Sequence, residues 1–238
     1  MVATYTSSNS YIGGHNMKET VNLERESQAL SIPKIREVID YLPYGNQIRV
    51  MFQFLAITGS RISELDRMRP DRILKSKGKY WLIWSLGKNQ KSFRKEEIPE
   101  QLIQELRHCR VNRRCFPNRL FSMSHDTFRR VFNRDIRPHL SSEWMERKIK
   151  LSKGQLQTEY VLQLKGLRKT FQTLNFAREL KKWNNPDIAL EFTSKRMKHS
   201  SKHITAYHYI VNFDQINTNA DDTDFLENTS QTHLTEYN

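Results

Sequence analysis

The stretch RMKHSSKHITAYHYI, residues 196–210, gathers His199, Tyr207 and Tyr209 with the cations Arg196, Lys198 and Lys202, in a chain that has only eight histidines. Three chemistries suit such a mixture: a metal cluster, a polyanion-binding face, or a tyrosine nucleophile served by its neighbours. Three other groups bear on the choice. In AITGSRISEL, residues 56–65, Gly59 lets the backbone reverse between two helices, which puts Arg61 at the N-terminus of the second. Backbone N–H groups, a positive helix end and a guanidinium then converge on one spot suited to a phosphate, with Glu64 one turn along to brace Arg61. In LKGLRKTF, residues 164–171, Lys165 and Arg168 are three apart on a helical pattern, so both heads point to one side. In LGKNQKSF, Lys88 and Lys91 sit at a hairpin tip, from which a flexible lysine reaches into a groove. Taken singly, each group has a plain alternative: a surface ion pair, a solvated cationic face, solubilising lysines, packed tyrosines.

The elements that must position these groups follow from pattern. SIPKIREVIDYL reads as a helix with Ser31 as N-cap and Pro33 in its first turn. NQIRVMFQFLAI reads as a second helix, apolar enough to be buried, ended by TGS. A third starts near Arg61. KYWLIWSLG and FRKEEIP read as two strands flanking residues 88–91. Helices follow over residues 100–111, at SHDTFRRVFNRDI, from about residue 159 to 181, and over residues 186–198 and 203–213. The spacing predicts a mainly α domain with one small antiparallel sheet. Residues 1–30 are polar and form a flexible lead-in, residues 31–216 the folded domain, and residues 217–238 an acidic, flexible tail.

Bulk charge decides which partner class fits. The net charge is +13, yet no Lys or Arg follows Lys202, and Asp214, Asp221, Asp222, Asp224, Glu227 and Glu236 follow Tyr209. The body is therefore more basic than the total, which is the footprint of a polyanion binder. No long apolar run or lipidation motif points to a membrane, so nucleic acid is the expected partner. The two cysteines, Cys109 and Cys115, give no disulfide framework, and no signal-peptide pattern opens the chain. An intracellular setting, host cytoplasm or nucleoid, is the expectation. His108, Cys109, Cys115 and His125 contain no tight ligand pair, so no metal site is expected.

In combination the four groups are far more specific than any one. TG-x-R-x-SEL, a lysine hairpin, K-x-x-R-x-[ST]-F, a helix ending in H-SS and T-A-Y-H-Y occur in that order. This order resembles the catalytic domain of tyrosine recombinases, the phage and plasmid integrase family, over roughly residues 31–211. The resemblance implies a recombinase catalytic-domain fold, double-stranded DNA as partner, a homo-oligomer on that DNA, and no cofactor. It implies Arg61 and Arg168 as the two arginines and His199 as the fifth-position residue. Where most members have His-x-x-Arg this chain has Lys165-x-x-Arg168, which resembles archaeal fuselloviral-type integrases and departs from the Xer-like host recombinases. The family's usual spacing from His199 lands on His208, between two tyrosines. The His–Tyr pair of archaeal-type integrases selects Tyr209 as nucleophile, with Tyr207 as second choice. LGK selects Lys88 as the hairpin lysine, and counting back from Ile98–Pro99 selects Lys91. Arg196, Lys198 and Lys202 are expected on the DNA face. The family also carries an N-terminal helical clamp, for which residues 1–30 are too few. A truncated or split form, or clamping by dimerisation, is expected instead.

The residue types suit the implied reaction, in which a tyrosine cleaves a DNA strand to a 3′-phosphotyrosyl bond and a free 5′-hydroxyl. A phenol has a pKa near 10, so attack at neutral pH needs a proton acceptor and a cationic site. Arg61 and Arg168 offer paired donors to the non-bridging oxygens as charge builds there. A desolvated hairpin lysine can protonate the departing 5′-oxygen, while Lys165 and His199 hydrogen-bond the phosphate or assist proton transfer. Two rivals share parts of this pattern. A non-catalytic DNA-binding protein would need only the basic body, and a type IB topoisomerase would relax supercoils without a defined site. All three bind DNA through phosphate contacts. DNA affinity measured by titration is expected to fall about a thousandfold or more between about 50 and 200 mM salt. A flat salt dependence would contradict every nucleic-acid reading.

Overall fold

A computed structural model describes residues 29–86, 92–111, 118–140, 146–150, 156–160 and 163–199. The readings placed on the hairpin lysines, the tyrosines, the expected helix over residues 203–213, most of the lead-in and the whole tail lie outside these residues. Helix α1 (Ile32–Tyr41) starts at Ser31, with Pro33 in its first turn, and buries Ile32, Ile35, Val38 and Ile39 at helical spacing. The Ser31 hydroxyl makes no capping bond. Leu30, assigned to the lead-in, belongs to the core: it is buried, and its N–H and C=O both meet the Thr170 hydroxyl at 2.7 Å.

Helix α2 (Gln47–Thr58) is buried at nearly every position because it runs through the centre of the domain. Asn46 caps its start, accepting from the Ile48 N–H at 2.8 Å. The polar residues it carries inward find partners. Arg49 Nε pairs with Glu105 Oε1 at 2.8 Å, and Gln53 donates to Glu105 Oε2 at 2.8 Å. These bonds tie α2 to α3 (Glu100–Val111). The helix expected from Arg61 is instead a single 3-10 segment, Ile62–Arg67. Asp66 on that segment accepts from the His125 N–H at 2.9 Å and meets its Nδ1 at 2.5 Å, pinning it to α4 (His125–Val131). That contact accounts for His125, one of the residues considered for zinc. Past α4 the helical course loosens into a π turn, Phe132–Ile136, and a 3-10 turn, Arg137–His139, where Pro138 cannot continue the α-helical bonding.

The sheet has antiparallel order β1 (Ile73–Ser76), β2 (Lys79–Leu86), β3 (Ser92–Ile98). Tyr80, Leu82, Trp84 and Leu86 alternate inward along β2, and Trp84 is among the largest fully buried side chains. β1 was not foreseen: four residues, three of them exposed, give no legible alternation. A second, two-stranded sheet pairs β4 (Glu146–Lys150) with β5 (Leu156–Tyr160). The helix expected from residue 159 therefore starts later, as α5 (Leu164–Trp183), because strand pairing overrides the helical preference around Glu159. Helix α6 (Pro186–Met197) packs on α5. The architecture is mainly α with small antiparallel sheets. No described helix is long and apolar enough to cross a membrane.

One backbone position joins these layers. Gly59 ends α2 at φ 55°, ψ 25°, in the left-handed region, and its N–H closes on Leu55 O at 2.9 Å. A Cβ there would intrude on the Phe171 ring of α5. Gly59→Ala therefore meets both a left-handed penalty of about 1–2 kcal/mol and an overpacking cost of about 1–3 kcal/mol. Equilibrium denaturation is expected to show a loss of about 3 kcal/mol. A loss below about 1 kcal/mol would mean that neither constraint acts.

Candidate active site

The turn Thr58–Gly59–Ser60 leaves the last carbonyls of α2 without helical partners, and arginines from two distant segments take them. Arg168, on the second turn of α5, donates from Nη1 to Gly59 O at 2.7 Å. Arg94, on β3, donates from Nη2 to Thr58 O at 2.6 Å and from Nη1 to Gly59 O at 3.4 Å. Both guanidiniums are buried. Cations at the negative end of a helix are favoured, so α2 itself helps to gather them. Arg61 sits two residues past Gly59, at the start of the 3-10 segment, with its side chain 58% exposed. Its Nη1 lies 3.1 Å from Glu64 Oε1. The Glu64 carboxylate is buried and accepts a second bond from Trp84 Nε1 at 3.0 Å, so it braces Arg61 from a fixed position.

His199 follows α6, held by its N–H to Ser194 O at 3.1 Å. Its Nε2 is 3.2 Å from Arg168 Nη2 and 3.2 Å from Gln172 Nε2. Arg61 with Glu64, Arg168, and His199, from three segments far apart in the chain, thus lie around one turn. Lys165 is exposed on the first turn of α5, and Arg168, three residues on, is buried. Lys88, Lys91, Lys202, Tyr207 and Tyr209 lie outside the described residues.

Arg196, expected on the DNA face, has its side chain 37% exposed and bonds inward with part of its guanidinium. Its Nε lies 3.1 Å from Glu96 Oε2, and its Nη1 donates to Asn175 Oδ1. Glu96 also accepts from Arg94 Nη2 at 2.8 Å. Arg94 and Arg196 both lie against the Phe171 ring, and Arg94 also stacks on Trp84. Burial pushes the Arg94 guanidinium below its usual range while the Glu96 carboxylate opposes that shift. An arginine stays charged under such opposition. Lys198, at the left-handed end of α6, is exposed and available to a polyanion. Sequence reasoning missed Arg94, Glu96, Gln172 and Asn175. The first two had a signal: alternation along β3 puts both on the inward face with Ile98, an unusual place for charges. Among the described residues no group of three His, Cys, Asp or Glu could hold a metal ion.

No family model matches the chain, and no curated protein matches its sequence. Solved structures match in shape. The XerA recombinase superposes with a TM-score of 0.53 at 18% identity, covering 88% of this chain and 64% of that one. The XerH site-specific recombinase, solved bound to its difH substrate as a pre-cleavage complex, superposes with a TM-score of 0.50 at 16% identity, covering 80% of this chain and 52% of that one. The fold is that of a tyrosine recombinase catalytic domain. The chain spans about half the length of XerH and under two thirds of XerA.

The recombinase-type fold thus carries, beside the Gly59 turn, a cluster in which buried Glu96 joins buried Arg94 to the partly exposed Arg196 and so links β3 to α6. Removing its one carboxylate leaves two cations facing each other. Glu96→Ala is expected to cost about 3–5 kcal/mol in denaturant unfolding, with Glu96→Gln costing less. A loss under about 1 kcal/mol for Glu96→Ala would show that the cluster does not hold α6 in place.

Proposed function

We propose that this chain is a tyrosine-type site-specific recombinase that cuts and rejoins double-stranded DNA. The observation that carries the reading is the convergence of Arg61, Glu64, Arg168 and His199 on the Gly59 turn, in a fold shared with XerA and XerH. The motif order in the sequence, which ends in a tyrosine pair after His199, supplies the nucleophile.

In the proposed reaction the Tyr209 phenol oxygen attacks the scissile phosphorus and its proton passes to an acceptor in the site. The P–O bond to the 5′-oxygen breaks as the 3′-phosphotyrosyl bond forms. The leaving oxygen takes a proton from Lys91 or Lys88 and departs as a 5′-hydroxyl. Rejoining runs the same steps backward from a new 5′-hydroxyl, and the covalent link conserves the phosphodiester energy. Arg61 and Arg168 bind the non-bridging oxygens, where each fixed donor is worth about 10²–10³ in rate. Lys165 and His199 assist at the phosphate. The basic body and Lys198 hold the duplex backbone.

The finer reading is an integrase acting as an oligomer on attachment sites inside a cell, inserting or excising a viral or plasmid genome. Its support is the Lys165-x-x-Arg168 box and the His208–Tyr209 pair, which resemble archaeal viral integrases. Covalent capture on nicked suicide DNA tests the reaction. The unmodified chain is expected to form a denaturant-resistant DNA adduct, Tyr209→Phe to form none while still binding DNA, and Tyr207→Phe to retain capture. Capture that survives Tyr209→Phe and disappears in Tyr207→Phe would move the nucleophile. No capture by the unmodified chain would overturn the reaction.

A further inference from the structure

We infer that Gln172 is a positioning residue that fixes the tautomer of His199. The catalytic consequence rests on the recombinase reading, whereas the hydrogen-bond assignment does not. Gln172 lies one turn after Arg168 on α5 and has no exposed surface. Its Nε2 and Arg168 Nη2 stand 3.2 Å from the same ring atom, His199 Nε2. A guanidinium carries donors only, so a ring nitrogen facing it has to accept. A proton on His199 Nε2 would set N–H against N–H. The proton is therefore on Nδ1, and the Gln172 amide turns its nitrogen toward the ring. The cost of that orientation is visible: Gln172 Oε1 is buried with no hydrogen-bond partner. Turning the amide round would satisfy Oε1 only with a proton on His199 Nε2, which Arg168 opposes. Gln172 thus gives up one acceptor bond to hold the ring as an acceptor at Nε2 and a donor at Nδ1.

Within the recombinase reading this matters because Arg168 has two tasks. A substrate phosphate draws on the guanidinium that also steadies His199, and Gln172 keeps the ring in the same tautomer when it does.

Nitrogen-15 NMR on histidine-labelled, DNA-free protein tests the assignment, with the His199 signals identified by their loss in His199→Asn. The unmodified chain is expected to show an unprotonated Nε2 and a protonated Nδ1. Gln172→Glu keeps the shape but presents only acceptors, and is expected to bring a proton onto Nε2. Gln172→Ala is expected to weaken the bias, raising the fraction of protonated Nε2 although Arg168 still disfavours it. The other histidine signals report that each variant is folded. A proton on Nε2 in the unmodified chain, or a His199 pattern unchanged in both variants, would overturn the inference. Covalent capture by Gln172→Ala is expected to slow about tenfold at unchanged DNA affinity, and an unchanged rate would overturn the positioning role. If the unmodified chain captures no DNA, the recombinase reading falls while the NMR result still decides the tautomer.

Discussion

The carbonyls of Thr58 and Gly59 accept from Arg94 and Arg168, which arrive from a β-strand and from a helix more than a hundred residues downstream. A helix end buried without partners is unstable, and here side chains supply what the backbone lacks. The same bonds orient the turn from which Arg61 projects. Gly59 makes the arrangement possible, since its left-handed backbone and missing side chain leave room for Phe171 to seat α5 against α2. Replace that glycine and the helix end, the α5 contact and the arginine all shift together.

Charge follows from this geometry. Arg61, Arg94 and Arg168 lie at the turn, and the carboxylates of Glu64 and Glu96 pair with Arg61 and with Arg94 and Arg196. The two glutamates serve different ends. Glu96 joins buried Arg94 to the partly exposed Arg196 and so locks β3 to α6, while Glu64 braces one partly exposed cation. Buried ion pairs of this kind contribute more to a defined arrangement than to net stability. Of these arginines, Arg61 is the one whose side chain is mostly exposed to solvent among the described residues.

Much of this was legible in the sequence, for identifiable reasons. The first box announced its turn because a glycine between an apolar helix and a charged residue has few other uses, and α2 followed from a run too apolar to be exposed. The 3-10 form of residues 62–67 was not legible, because it depends on the Asp66–His125 contact across 59 residues. The start of α5 was misread because the pairing of β5 with β4 outweighs local propensity. The contacts of Arg196 with Glu96 and Asn175 were not legible, because they join residues 100 and 21 positions apart. Gln172 gave no signal, since a glutamine inside a helix is ordinary until its neighbour across the helix pair is known.

The most direct measurement is mass spectrometry of the peptide that stays attached to DNA after cleavage of a nicked duplex and proteolysis. A tyrosine-linked nucleotide on the peptide that contains Tyr207 and Tyr209, with the mass on Tyr209, is the expected result. A DNA adduct on a residue outside that segment, or none from a chain that binds the same duplex, would contradict the recombinase reading.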